Sequence, residues 1–388
     1  LITALGMKHI IFILLLVLAG LGCARAADES GLRQDDTPLT VWIDGRSWAL
    51  EAFTARPAQG DHFPVVLFVH GSARSNGELR DLDLSSDRQW ARTMASRGWL
   101  AVSVARRGYG KSEGSAFLSI GTCEEPAVAA YLDHHAIDIE AALRAIGERS
   151  DADMSRVLLI GKSVGGAVAL DVAARGNIPI SAVVNVSGGV SAYTKQLAIN
   201  PDCGLMSADV VWNFARFGAA ARDVPTLWLY AENDPWFSPA FVGRLHTAYT
   251  AADGQAELAM LPAFAPNGHD LYHDYDGQQQ MLPRIDAFLA EHGLPTWDPG
   301  FGDRLLSRLK PEQRALGLLY LSRAPAQKAL AVADGESTVA WTASDSDSVT
   351  RAEDRALARC EANSHRACHL VAVNFGLVGS ATAQTATR

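Results

Sequence analysis

Cysteine is scarce in this chain, with five in 388 residues, and no two of them form a Cys-x-x-Cys pair. The sequence therefore calls for no metal and no cofactor. It also lacks any run of Lys or Arg, and its formal charge is −9. That acidity argues against nucleic acid or an anionic lipid surface as a partner. Long apolar stretches are missing too. The one marked run, Ile10–Leu21, falls short of the roughly 20 residues that a membrane span needs. There is no internal repeat. The 48% hydrophobic and 20% charged content is that of an ordinary globular chain with one large core and room for a small second domain.

The apolar run has the marks of a secretory signal. Met7-Lys8-His9 is a short basic start, and Ala24-Arg25-Ala26 is an A-x-A cleavage site. The expectation is a signal peptide over residues 1–26 with Met7 as its true start, a mature chain from Ala27, and a periplasmic or secreted protein. Lipid anchoring at Cys23 is the alternative. Cleavage removes Lys8 and Arg25 and takes the charge from −9 to −11. It leaves four cysteines, an even count that in an exported protein suggests disulfides. Cys360 and Cys368 are close enough in sequence to pair; Cys123 and Cys203 both fall in segments that read as insertions near the sheet top, where a second pair is expected, with four free buried thiols as the alternative.

Alternating short apolar runs and amphipathic stretches predict an α/β protein with a mostly parallel sheet flanked by helices. An opening antiparallel pair surrounds Asp44-Gly45, and Phe63–Val69 reads as a strand buried on both faces. Further strands are expected near 99–104, 157–160, 180–186, 226–230 and 257–261, with helices near 87–97, 128–149, 164–175, 238–252 and 285–289. The catalytic domain is taken as 27–292. Within it, residues 188–222 break the alternation and read as a short helical insertion. This is either a lid whose Trp212 and Phe214 bind substrate or a cap whose aromatics pack on the domain. A Pro/Gly-rich linker is expected at 293–310, then a small α+β unit at 311–378. The Ala/Thr/Ser-rich tail at 379–388 is predicted to be disordered.

Gly161-Lys162-Ser163-Val164-Gly165 lies between an apolar strand and a small-residue helix. A serine on such a tight turn needs glycine two positions away on each side, and the turn presents its hydroxyl at the head of a helix, where free N–H groups face a developing oxyanion. Serine nucleophiles need a base and an acid that orients it. In the chain order Ser, acid, His, the acid is Asp234 in Glu232-Asn233-Asp234-Pro235, with Glu232 as the competing carboxylate, and the base is His269 in Asn267-Gly268-His269. Backbone N–H groups of Val164 and Ser72 are the expected oxyanion donors. His70 reads as structural, and so does the Arg107-Gly108-Tyr109-Gly110 loop, a tight turn in which Arg107 ties loops together.

These pieces together resemble the α/β-hydrolase fold, and within it the dienelactone-hydrolase-like and prolyl-oligopeptidase-like serine hydrolases. The likeness covers residues 39–292, on the His70-Gly71 turn, the glycine-rich loop, the Ser163 motif, Asn233-Asp234-Pro235 and Asn267-Gly268-His269. It implies hydrolysis of a small-molecule ester or related acyl bond through an acyl-serine. Dienelactone hydrolases proper use a cysteine nucleophile, so their substrate does not carry over to Ser163. An acyltransferase on the same residues, and a binding protein that keeps only the fold, are the alternatives.

Overall fold

The computed structural model describes residues 32–378 except 59, 74–75, 83, 192–202, 265, 298–299, 323–326, 334–338, 345–348 and 375. The signal-peptide region and the C-terminal tail lie outside the described residues. The first strand, β1 (Leu32–Asp35), was not foreseen from the sequence. A hairpin of β2 (Leu39–Ile43) and β3 (Arg46–Leu50) follows, turning through Asp44 and Gly45 at φ 52° and 73°. The single strand expected at 48–53 is in fact two. After Glu51 the chain leaves the hairpin and enters the main sheet as β4 (Ala52–Pro57).

The sheet continues with β5 (Phe63–Val69), β6 (Leu100–Val104), β7 (Ala152–Lys162), β8 (Ala182–Val186), β9 (Thr226–Ala231) and β10 (Ala256–Leu261). Its spatial order is β1-β4-β6-β5-β7-β8-β9-β10, antiparallel across β1, β4 and β6 and parallel from there on. The central strands are buried on both faces because helices cover both. Successive side chains alternate between the two cores: Val65, Leu67 and Val69 face one, Val66 and Phe68 the other. The first core is closed by α3 (Val128–Gly147), α4 (Val164–Arg175), α5 (Gly204–Ala220) and α6 (Pro239–Ala251); the short α1 (Asn76–Arg80) precedes them in the chain. The second is closed by α2 (Ser85–Ala95) and α7 (Tyr275–Glu291). Order, direction and layering are those of the α/β-hydrolase fold.

Helix α5 corrects the reading of 188–222. It is the crossover between the parallel strands β8 and β9, so the alternation is unbroken there. Its Phe214 and Phe217 belong to the core under the sheet. Residues 192–202 of that stretch lie outside the described residues.

The expected linker, 293–310, has no regular element among its described residues before Phe301, yet it is anchored to the larger domain. Leu294 is buried in the second core, the Trp99 indole donates to the Pro295 carbonyl at 2.8 Å, and Thr296 donates to Asp286 at 2.6 Å. Then α8 (Phe301–Arg308) begins. Phe301, Leu305 and Leu309 recur at helical spacing and are buried together, so an apolar stripe outweighs the glycines around it. The C-terminal unit comprises α8, α9 (Arg314–Ser322), β11 (Gln327–Ala333), β12 (Val339–Ser344), α10 (Val349–Ser364), β13 (Cys368–Val373) and β14 (Gly376–Leu377). The four strands form an antiparallel sheet in the order β12-β11-β13-β14. Leu330, Val332 and Val371 meet α8 on one face, while Ala329 and Ala331 meet Ala352 and Ala356 of α10 on the other. Cys360 and Cys368 are bonded, joining α10 to β13, and Cys123 is bonded to Cys203, as expected.

Asp286 of α7 ties the second helical layer together. It takes a bidentate contact from Arg97, Nε at 2.6 Å and a second guanidinium nitrogen at 2.8 Å, while Trp297 stacks on the same guanidinium at 3.7 Å. The Arg97 side chain is 1% exposed. Removing its partner strands a buried charge. Asp286→Ala should therefore lower the unfolding free energy in urea by about 3–5 kcal/mol; a loss below about 1 kcal/mol would show that Arg97 finds another partner or water.

Candidate functional site

The residues singled out from the sequence stand at the carboxyl ends of the parallel strands, where open α/β sheets form their sites. Ser163 directly follows β7 and heads α4. Its φ of 55° and ψ of −126° are sparsely populated for a residue with a Cβ, a strain of about 1–3 kcal/mol that the surroundings must hold. Three backbone bonds do so. The Ser163 N–H donates to Val186 at 2.9 Å, and its carbonyl accepts from Gly166 at 2.9 Å and Gly189 at 3.1 Å. The flanking glycines are steric requirements. A Cβ on Gly161 would lie 2.2 Å from the Gly165 carbonyl oxygen, and one on Gly165 would lie 1.9 Å from that of Val69.

Asp234 follows β9 and is buried. One carboxylate oxygen accepts the N–H groups of Trp236 at 2.8 Å and Phe237 at 3.2 Å; the other accepts Nδ1 of His269 at 2.9 Å. The carboxylate only accepts, so Nδ1–H is the donor of this pair and Nε2 is the ring nitrogen that Asp234 does not engage. The ring sits in a short 3₁₀ turn, Gly268–Tyr272, after β10. Trp90 of α2 and Gln278 of α7 both donate to the Tyr272 carbonyl at 3.0 Å, and Asn267 accepts the His269 N–H at 3.0 Å. Of the two carboxylates the sequence offered, Asp234 and not Glu232 meets the imidazole. Ser163 and His269 line one cavity of about 400 Å³. No direct hydrogen bond joins them among the described residues; such bonds commonly tighten only when substrate is bound.

The His70–Ser72 loop after β5 packs against the serine, so closely that a Cβ on Gly71 would lie 3.8 Å from Ser163 Oγ. His70 is structural, as expected. Its Nε2 accepts the Arg106 N–H at 3.0 Å and its Nδ1 donates to the Gly71 carbonyl at 2.7 Å. Burial, and then the neighbouring Arg106 guanidinium, hold its pKa well below the usual histidine range. Arg106 is fully buried and also donates to the carbonyls of His70 and Gly71, both at 2.8 Å. Arg107 instead pairs with Asp138 of α3 at 2.6 Å, so adjacent arginines tie the loop in two directions. Ser72 lies beside the serine, its hydroxyl accepting from Tyr131 at 2.9 Å and sitting 3.3 Å from the Tyr109 hydroxyl. Val164 occupies the first helical position of α4, whose N–H has no partner within the helix.

Two expected substrate contacts are not at the site. Phe214 is fully buried, edge-on to Trp228 with ring centroids 5.4 Å apart, and Trp212 faces solvent at 58% exposure. Neither lines a cavity at Ser163; Met206, near the start of α5, is the residue of that helix that does. Sequence reasoning missed Trp236 and Phe237, which do line it. Their signal was position: they directly follow Asp234 at a strand end. It also missed Asp87 and Lys162, buried in the cavity wall. Asp87 accepts from the Tyr272 hydroxyl at 2.5 Å. Among the described residues no group of three or more His, Cys, Asp or Glu could hold a metal, and no helix is long and apolar enough to cross a membrane.

The sequence profile of X-Pro dipeptidyl-peptidase (S15 family) matches residues 44–234, a stretch that contains Ser163 and Asp234 and stops before His269. The uncharacterized protein YfhR of Escherichia coli (strain K12) is 28% identical over 210 residues, 53% of this chain and 60% of the relative, so the match spans less than two thirds of that protein. Among solved structures, esterase Pf2001 of Pyrococcus furiosus is 15% identical with a TM-score of 0.46, over 66% of this chain and 91% of that one. Esterase B of Lactobacillus rhamnosis is 16% identical with a TM-score of 0.47, over 74% and 94%.

Burial raises the Asp87 pKa to about 6, against the lowering influence of Tyr272, Lys162, Ser103 and Arg106. An acid whose pKa is higher folded than unfolded binds more protons in the native state between those values, so its contribution to stability falls as pH rises from about 4 to about 6. Asp87→Asn removes that cost. Relative to wild type, the variant should gain up to about 3 kcal/mol of unfolding free energy between pH 4 and pH 7. Urea titrations across this range measure the gain; a difference that does not change with pH would refute it.

Proposed function

We propose that the chain is an α/β-hydrolase by family as well as by fold, and an exported serine hydrolase that cleaves a carboxylic ester through an acyl-serine. The observation that carries this is the buried Asp234–His269 pair at 2.9 Å, opening on the cavity that holds the strained Ser163. Ser163 Oγ attacks the carbonyl carbon as His269 Nε2 takes its proton. The N–H groups of Val164 and Ser72 receive the oxyanion. The C–O bond to the alcohol breaks as Nε2 returns the proton to the leaving oxygen. Water then repeats the sequence on the acyl-serine. Asp234 keeps the imidazole in the required tautomer and stabilises the imidazolium. Export is supported by the basic start and apolar run before Ala24-Arg25-Ala26 and by two bonded cysteine pairs, which persist outside reducing compartments.

Ser163→Ala should reduce kcat/KM for p-nitrophenyl butyrate at least about 1,000-fold with an unchanged melting curve, and should abolish labelling by a fluorophosphonate probe. Retained turnover would refute the assignment. An X-Pro anilide in the same panel separates ester from peptide cleavage, the latter being what the S15 name describes. Expression in a Gram-negative host should yield a periplasmic protein whose first residue is Ala27; recovery in the cytoplasm with Met7 intact would refute export.

A further inference from the structure

Arg106 lies just beyond β6 and is fully buried, yet no carboxylate pairs with it among the described residues. Its Nε has no hydrogen-bond partner, and Asp87 feels its charge without touching it. A cation taken out of water without an ion pair is costly to fold around. What the guanidinium does reach is one loop. It donates to the carbonyls of His70 and Gly71, both at 2.8 Å, and lies 5.2 Å from the centre of the Tyr109 ring. The Gly71 carbonyl is held a second time, by Nδ1 of His70 at 2.7 Å, and Nε2 of the same ring accepts the Arg106 backbone N–H at 3.0 Å. Two donors, one of them charged, thus converge on a single backbone oxygen.

That oxygen belongs to the same peptide group as the Ser72 N–H. In a trans peptide the carbonyl and the N–H point in opposite directions, so a carbonyl drawn inward by Arg106 and His70 turns the N–H away from them. This N–H has no acceptor among the described residues, and Ser72 lines both cavities that border Ser163. The other side of the residue is pinned as well, because Tyr131 donates to the Ser72 hydroxyl at 2.9 Å. We propose that Arg106 is a positioning residue for the oxyanion: it locks the Gly71–Ser72 peptide with its N–H toward the substrate oxygen, and its charge polarises that peptide so that the N–H donates more strongly. The inference rests on the serine-hydrolase reading and adds the group that sets one of its two oxyanion donors. A charge-assisted hydrogen bond into a carbonyl strengthens the donor at the other end of the same amide. A donor fixed before negative charge develops needs no reorganisation when the charge appears, so the benefit falls on the transition state and not on substrate binding. Arg106 itself touches no reacting atom. The adjacent Arg107 turns to Asp138 at 2.6 Å and does not share this task.

The test separates kcat from KM. Arg106→Met keeps most of the buried volume and removes both the charge and the donors. On p-nitrophenyl butyrate its kcat should fall about 10- to 100-fold with KM within about twofold of wild type. Butylboronic acid supplies a second readout: its boron bonds to Ser163 Oγ, the serine proton passes to His269, and a negative oxygen takes the oxyanion's place. Its inhibition constant should weaken by a factor similar to the loss in kcat, while that of butyrate, which forms no such adduct, stays unchanged. Arg106→Lys keeps the charge without the fork and should recover part of the loss. If Arg106→Met does not fold, Arg106→Lys carries the test, with kcat at least about threefold below wild type and KM unchanged. A folded variant with wild-type kcat and boronate affinity, or a loss confined to KM, overturns the inference. Fluorophosphonate labelling of the wild type keeps the two readings apart: an unlabelled wild type removes the hydrolase reading and this inference with it, whereas a labelled wild type whose kcat is indifferent to Arg106 removes only the inference.

Discussion

A side chain held at positive φ between a strand and a helix is the constraint on which the rest of this molecule depends. The Ser163 turn is tolerable only because nothing projects from Gly161 or Gly165 and because neighbouring strand ends satisfy its backbone. Val186 ends β8 and Gly189 follows it, while the carbonyl that a Cβ on Gly165 would strike is that of Val69 at the end of β5; β5 and β8 lie on either side of β7 in the sheet. The elbow's geometry therefore depends on the centre of the sheet around it, and its strain is offset by the burial of that centre.

The same economy governs the other site groups. None is held by a long flexible arm. Asp234 is fixed by N–H groups of its own turn, and His269 by a turn that α2 and α7 grip through one carbonyl. The His70–Ser72 loop is fixed by the buried Arg106 and by tyrosine hydroxyls. Each anchoring group is itself buried and hydrogen-bonded, so the rim is shaped by the interior beneath it. The two cavities that border Ser163 follow from this arrangement. One is floored by the Tyr272 and Asp87 contact that serves the histidine turn, the other by residues that cap the first core.

The C-terminal unit shows how local composition can mislead. Gly, Pro and Trp crowd residues 293–302 and suggest a linker, yet Pro295, Thr296 and Trp297 all contact the larger domain and Phe301 starts a helix. Carbonyls and rings that look like loop chemistry in isolation become docking contacts once Trp99 and Arg97 face them. The same holds for Trp212 and Phe214. Aromatics next to a broken pattern left a lid and a packed cap open; a parallel sheet needs a crossover between β8 and β9, α5 is that crossover, and its Phe214 packs on the domain.

What the sequence by itself determined was whatever depends on neighbours along the chain. Burial on both faces made Phe63–Val69 and its sister strands legible, and spacing marked the helices. The glycines around Ser163, together with chain order, singled out Asp234 and His269. Tertiary structure alone decided which of two adjacent arginines is buried under the His70–Ser72 loop, that Tyr131 reaches Ser72, that Trp236 rather than Trp212 borders Ser163, and that two cavities border that serine. These are contacts between residues dozens of positions apart. Their energies depend on distance in space and on shared burial, and neither is written in the local order of the chain.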